Sequence, residues 1–138
     1  GSIASGDAVL AAQAMGADFA YIGTAFIATE EARASDAYKQ AIVDGSSDDI
    51  VYSNLFTGVH GNYLAPSIVA AGMDPANLPE GDLKTMNFAS GDGSKAKAWK
   101  DIWGSGQGIG AITEVTSTAV FVEKLKREYQ AARQRLAL

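Results

Sequence analysis

Cysteine is absent from the 138 residues, which excludes disulfides, a thiolate nucleophile and a Cys-ligated metal. Histidine occurs once, at His60, so a His-rich metal centre is excluded as well. No run approaches the ~18 apolar residues that a membrane-spanning helix needs, and no membrane partner is expected. Basic residues are in the minority, 11 Lys+Arg against 16 Asp+Glu, and the resulting net charge of −5 argues against a general nucleic-acid binder. Such a protein needs a basic face for the phosphate backbone. What is present is ordinary for a globular protein. Hydrophobic residues at 47% and charged residues at 20% are too apolar for disorder, and the length suits one modest domain. A chain without cysteine is compatible with a reducing cytoplasm, the localisation expected. The sequence opens at Gly1 without an initiator Met and inside a motif, so it is expected to be the C-terminal part of a larger protein.

Residues 5–15 read as a helix, with Ser5 or Asp7 available to accept from the first-turn amides and Gly16 as its stop. Phe19, Ala20, Tyr21 and Ile22 form a short run of strand formers between Asp18 and Gly23. Thr24 then starts a second helical stretch, and residues 35–43 a third, capped by Ser35. Helix, strand and helix in this order, with residues 1–3 at the end of an earlier strand, are the repeat of a parallel α/β protein. After Gly45 the character changes. Residues 49–56 are strand-like and residues 57–63 read as a loop with two glycines. Residues 65–71 suit a short helix with Pro66 in its first turn, and residues 73–94 read as irregular connecting chain. Trp99, Ile102 and Trp103 lie at i, i+3, i+4, the stripe of a short amphipathic helix, and are most simply core residues. Residues 104–110 are glycine-dense. In the last helix Phe121, Val122, Leu125, Tyr129, Ala132 and Leu136 fall on one face and charged residues on the other.

The informative feature is a pair of turns. Gly1, Ser2 and Ile3 lead into the first helix, and some twenty residues on Gly23 and Thr24 lead into the second. Neighbouring strands of a parallel barrel end on the same face, so both turns would present backbone amides there. Unsatisfied N–H groups and roughly +0.5 of effective charge at helix N-termini suit a phosphate dianion. Barrel enzymes often hold phosphate after strands 7 and 8 in this way.

The pair carries a family resemblance. Gly1-Ser2-Ile3-Ala4-Ser5-Gly6, Ala14-Met15-Gly16-Ala17-Asp18, Ile22-Gly23-Thr24-Ala25-Phe26 and Ala28-Thr29-Glu30-Glu31 resemble the flavin-phosphate segment of the nitronate monooxygenases, the 2-nitropropane dioxygenase family. Lys39, Phe56-Thr57-Gly58 and Gly106-Gln107-Gly108-Ile109-Gly110 fall where that family has its Tyr-Lys, Phe-Thr-Gly and Gly-Gln-Gly-Val-Gly elements. The resemblance implies an α/β fold, the C-terminal part of a TIM (β/α)8 barrel with an added, mostly helical segment. Residues 1–45 would be the last βα units with the phosphate turns, 46–111 an inserted substrate-side segment, and 112–138 a helix packing back on the barrel. It also implies FMN as cofactor, with Gly1, Ser2, Gly23 and Thr24 at its phosphate. The activity implied is oxidation of alkyl nitronates or nitroalkanes with dioxygen to carbonyl compound and nitrite. The histidine that the family uses lies upstream of the phosphate segment, so no catalytic residue is expected here.

His60, Asn62, Tyr63 and Gln107 are candidates for the substrate pocket, although a loop histidine and a glutamine among glycines are each more often plain turn residues. The implied partners are the N-terminal part of the barrel and, for open sheet edges, a second copy in a homo-oligomer. Ser2, Ser5-Gly6-Asp7 and Ala25 depart from the family's Gly, Asp-Gly-Arg and Arg. Three other readings stay open: a flavin-dependent enoyl-acyl-carrier-protein reductase, an enzyme of the IMP dehydrogenase type, and an inactive fragment or binding module.

Overall fold

The computed structural model describes residues 2–81 and 101–137, and these form an α/β arrangement in two compact units. The first unit comprises Gly1–Ser47 and Gly106–Leu138, the second Asp48–Ser105.

In the first unit, helix α1 spans Gly6–Ala14. Ser5 is its N-cap, its hydroxyl accepting from Ala8 N at 3.2 Å. Gly16 ends it at φ +96°, a left-handed backbone that favours glycine. A single turn, α2 (Thr24–Ile27), and a longer α3 (Asp36–Asp44) follow, the latter capped by the Ser35 hydroxyl on Tyr38 N. The last helix, α5 (Thr118–Arg135), is capped by Ser117 on Val120 N. It packs along α1 so closely that a Cβ on Gly6 would stand 2.2 Å from the Leu125 carbonyl oxygen. Phe121 meets Phe26 edge-on at 5.1 Å between centroids, the Tyr129 hydroxyl bonds Gln13, and Arg135 pairs with Asp7 at 2.6 Å. Thus Asp7, a departure from the family pattern, has found its own partner. The amphipathic reading of α5 holds for Phe121 and Ala132, which are buried, whereas Leu136 is 59% exposed.

Residues 19–22 do not form the expected strand. Strand propensity needs a hydrogen-bonding neighbour to become a strand, and none of the described residues supplies one. Phe19 and Tyr21 consequently stand 92% and 89% exposed.

The second unit is built on a hairpin. Strand β1 (Ile50–Ser53) pairs antiparallel with β2 (Gly61–Leu64) in the register Ile50↔Leu64, Val51↔Tyr63, Tyr52↔Asn62, Ser53↔Gly61. The expected loop 57–63 is therefore loop only as far as His60. Gly61, Asn62 and Tyr63 belong to a strand because the β1 ladder, invisible in local sequence, satisfies their backbone. Helix α4 (Ala65–Ala70) starts directly, with Pro66 in its first turn. The buried Ser67 hydroxyl ties this unit together, donating to the Leu64 carbonyl at 2.8 Å and accepting from Trp103 N at 3.0 Å. Leu64 N in turn donates to the Trp103 carbonyl. Trp99, Gly1 and most of the expected connecting chain lie outside the described residues.

Candidate functional site

Ser2 precedes α1, the first of the two turns expected to hold phosphate. The N-terminus of α1, however, already has acceptors. Gly6 N donates to Glu128 Oε2 of α5 at 2.8 Å, and Ala8 N to Ser5. The carboxylate of Glu128, 122 residues away in sequence, occupies the place where an anion would meet this helix. No sequence signal announces it, since Glu128 reads as one of the charged residues on the outer face of the last helix. The expectation that both helix starts offer free amides is corrected to this extent.

The second turn is different. Gly23 is exposed, and a Cβ there would meet no atom within 4 Å. Its backbone, φ −113° and ψ −65°, is open to any residue, so neither conformation nor internal packing demands glycine. Close approach of another group to the main chain is the remaining physical use for a missing side chain. Thr24, the next residue, turns its hydroxyl oxygen to the buried Gly106 N at 2.9 Å. None of the described residues accepts its proton.

Gly106 belongs to the glycine-dense segment, which folds as a short 3-10 helix, Gln107–Ala111. A Cβ on Gly108 would lie 2.8 Å from the Ser2 carbonyl oxygen and 3.3 Å from the Ala4 Cβ. Ile109, fully buried, presses its Cδ1 to 2.9 Å of where a Cβ on Gly45 would stand. Ser2, Thr24 and residues 106–108 are therefore brought together, and two residues of chain between Gly106 and Gly108 span at most about 7 Å.

Below the second turn, Ala25 is 3% exposed, and no long side chain could replace it without repacking. Lys39 is buried and donates from Nζ to the Glu30 carbonyl at 3.2 Å. The neighbouring Glu31 accepts from Thr118 N at 2.9 and 3.0 Å and from the Thr118 hydroxyl at 3.0 Å, capping α5. These bonds, the backbone one foremost, hold the Glu31 carboxyl below its usual range, with Lys39 adding in the same direction.

The four pocket candidates divide. Gln107, exposed between two glycines, stands beside the turns of the first unit. His60, Asn62 and Tyr63 sit on the hairpin of the second. His60 stacks on Tyr52 at 4.8 Å and 19°, while Tyr63 meets Phe56 edge-on and reaches Thr57 Oγ1 at 3.4 Å. Asn62 and Tyr63 are adjacent strand residues, so their side chains leave opposite faces of the hairpin and do not share one wall. Among the described residues no group of three or more acidic, His or Cys side chains could hold a metal, and no helix is long and apolar enough to cross a membrane.

These observations define an α/β chain with a glycine-lined meeting point of three segments. The chain belongs to the nitronate monooxygenase family, whose family model matches residues 1–128. It is 28% identical over 141 aligned residues to a nitronate monooxygenase of Paraburkholderia phytofirmans, covering 99% of this chain and 38% of that protein. It is 36% identical over 58 residues to a probable nitronate monooxygenase of Staphylococcus haemolyticus, covering 42% of this chain and 16% of that one. Among solved structures, a nitroalkane oxidase from Streptomyces ansochromogenes superposes with a TM-score of 0.69 at 26% identity, over 98% of this chain and 39% of that one. The M276A mutant of FabK from Thermotoga maritima gives 0.68 at 22% identity, over 99% and 42%. The chain thus spans well under half the length of these relatives.

Proposed function

We propose that this chain is the flavin-phosphate half of an FMN-dependent nitronate monooxygenase, a TIM-barrel enzyme of the cytoplasm. The whole enzyme would oxidise alkyl nitronates with dioxygen to carbonyl compound and nitrite. The observation that carries the reading is Gly23-Thr24: an exposed glycine that its own backbone does not require, followed by a hydroxyl whose lone pair is engaged and whose proton has no described acceptor. Gly23 N and Thr24 Oγ would donate to phosphate oxygens, with Ser2, and Gly1 before it, on the second side. The bound flavin would supply the electron acceptor for the nitronate and pass electrons to dioxygen. Gln107 would reach the flavin from the phosphate side, while His60, Asn62 and Tyr63 would belong to the substrate side of the larger enzyme. The catalytic base would come from the remaining part of the barrel.

Family membership and the likeness to a nitroalkane oxidase support this reading over a reductase. The FabK likeness, at 22% identity, speaks for the fold alone. Titration of FMN against riboflavin tests the phosphate assignment, because the two differ only in the phosphate. The chain is expected to prefer FMN, and Gly23→Ala to reduce that preference about tenfold or more, because the added Cβ would hold the phosphate off the Gly23 N–H and weaken a hydrogen bond to a charged group. Equal binding of both flavins would refute the assignment. For the whole enzyme, nitronate-dependent oxygen consumption without NAD(P)H is expected; turnover that requires NAD(P)H and an enoyl thioester would establish the reductase instead.

A further inference from the structure

Thr24 and Gly106 are 82 residues apart in sequence and joined in space, and the joint sits between two elements that the phosphate reading treats separately. On one side, the hydroxyl oxygen of Thr24 receives the buried Gly106 N–H at 2.9 Å. On the other, Gly108 lies so near the Ser2 turn that a Cβ would come to 2.8 Å of the Ser2 carbonyl oxygen and 2.9 Å of its carbon. Both contacts are to backbone, which has little room to yield. Beneath them Ile109 is fully buried and Ile112 7% exposed, and Ile109 is wedged against Gly45 with no space for a methyl group. The 106–112 segment is therefore held from below and touches both turns from above.

We propose that this segment is a spacer that sets the distance between the Ser2 turn and the Gly23-Thr24 turn, with Thr24 as the positioning residue that latches it. With Glu128 on the start of α1, that distance decides whether Ser2 can share a phosphate held at Gly23-Thr24. This rests on the flavin-phosphate reading above and adds a role that neither turn could fill alone. Because one of its lone-pair directions is taken by Gly106, the Thr24 hydroxyl proton is confined to the two that remain. Gly108 is small because the Ser2 turn comes to it, not because the segment must bend.

The test uses the 138-residue chain as it stands, in two arms. Without ligand, Thr24→Val is expected to speed amide exchange at Gly106 by roughly 2- to 10-fold, the range for one lost hydrogen bond, and to shift the Ser2 amide resonance. Thr24→Ser should restore both, because it keeps the hydroxyl. Gly108→Ala should shift Ser2 and the Gly106 amide together. With ligand, Thr24→Val and Gly108→Ala should lower the affinity ratio of FMN to riboflavin, and in the case of Thr24 the ratio should be rescued by Ser. Unchanged Gly106 exchange in Thr24→Val, a Ser2 resonance indifferent to both variants, or no rescue by Ser overturns the spacer. A ratio near one in the unsubstituted chain overturns the phosphate reading and the selectivity with it, while the ligand-free arm still decides the spacer by itself.

Discussion

At the scale of single residues, two glycines of the same chain do opposite things. Gly6 has no room: a Cβ would stand 2.2 Å from Leu125 O and 2.3 Å from Tyr129 N, both backbone atoms of α5. Gly6→Ala must push α1 and α5 apart and is expected to cost about 3 kcal/mol or more in urea unfolding, at or above the upper end for overpacking. Gly23→Ala meets nothing and should leave stability within about 0.5 kcal/mol, so any effect it has on flavin binding belongs to the site. Glu31 supplies a pH signature. Its carboxyl is held below the ordinary value of 4.5 by the bonds from Thr118. On acidification the unfolded chain therefore binds the proton first. The contribution is complete above the unfolded pKa and is lost as pH falls through the lower folded one. The melting-temperature difference between the unsubstituted chain and Glu31→Gln should be constant near neutrality and shrink in acid. A difference independent of pH would mean that the Thr118 contacts do not depend on charge. Asp7, lowered by its bond to Arg135, acts in the same direction but is common to both proteins and cancels.

At the scale of elements, the helices were legible in sequence and the strands only in part, residues 49–56 reading as strand-like where Ile50–Ser53 form β1. Ser5 and Ser35 stand where the caps of α1 and α3 form, and Gly16 where α1 stops, because capping and left-handed turns are decided within a few residues. Residues 19–22 carry the composition of a strand yet pair with none of the described residues, whereas Gly61, Asn62 and Tyr63 read as loop and joined β2. A strand is a property of two segments, and only one of the two can be read locally. The candidate site divides in the same way. Gly23 and Thr24 were visible as a turn, but Glu128 on Gly6 N and Gly106 N on Thr24 join residues 122 and 82 positions apart. Helix α5 itself is held by packing more than by its exposed ion pairs. Phe121→Ala, which removes a ring 6% exposed and edge-on to Phe26, should destabilise the chain by about 3–5 kcal/mol in urea unfolding. A loss below about 1 kcal/mol would show that α5 docks by other means.

At the scale of the molecule, the exposed side chains of residues 15–21 form an apolar patch. Met15, Phe19 and Tyr21 are 84%, 92% and 89% exposed, and the last two lie on a segment outside regular secondary structure. A groove of about 260 Å³ lined by Val9, Ala12, Phe19 and Tyr129, among others, opens beside them. Clustered, exposed apolar side chains favour association. The chain is expected to self-associate in sedimentation, and Phe19→Lys with Tyr21→Lys to shift it toward monomer. A monodisperse monomer before substitution would count against association through this patch. Its two compact units, each with its own buried residues, should be tested for separate transitions by comparing near-UV and far-UV signals during thermal unfolding.

Composition and short motifs determined by themselves that the chain is globular and α/β, where its helices begin and stop, and that it resembles nitronate monooxygenases. These are properties of hydrophobic content, of capping within a turn or two, and of residue order, none of which needs a distant partner. Tertiary structure alone decided which backbone groups remain available. It placed Glu128 on the amide at the start of α1, gave Asn62 and Tyr63 to opposite faces of a hairpin, and brought Gln107 and its glycines to Ser2 and Thr24. The reason is that a buried donor is satisfied by whatever acceptor packing delivers, and packing joins residues that sequence keeps far apart.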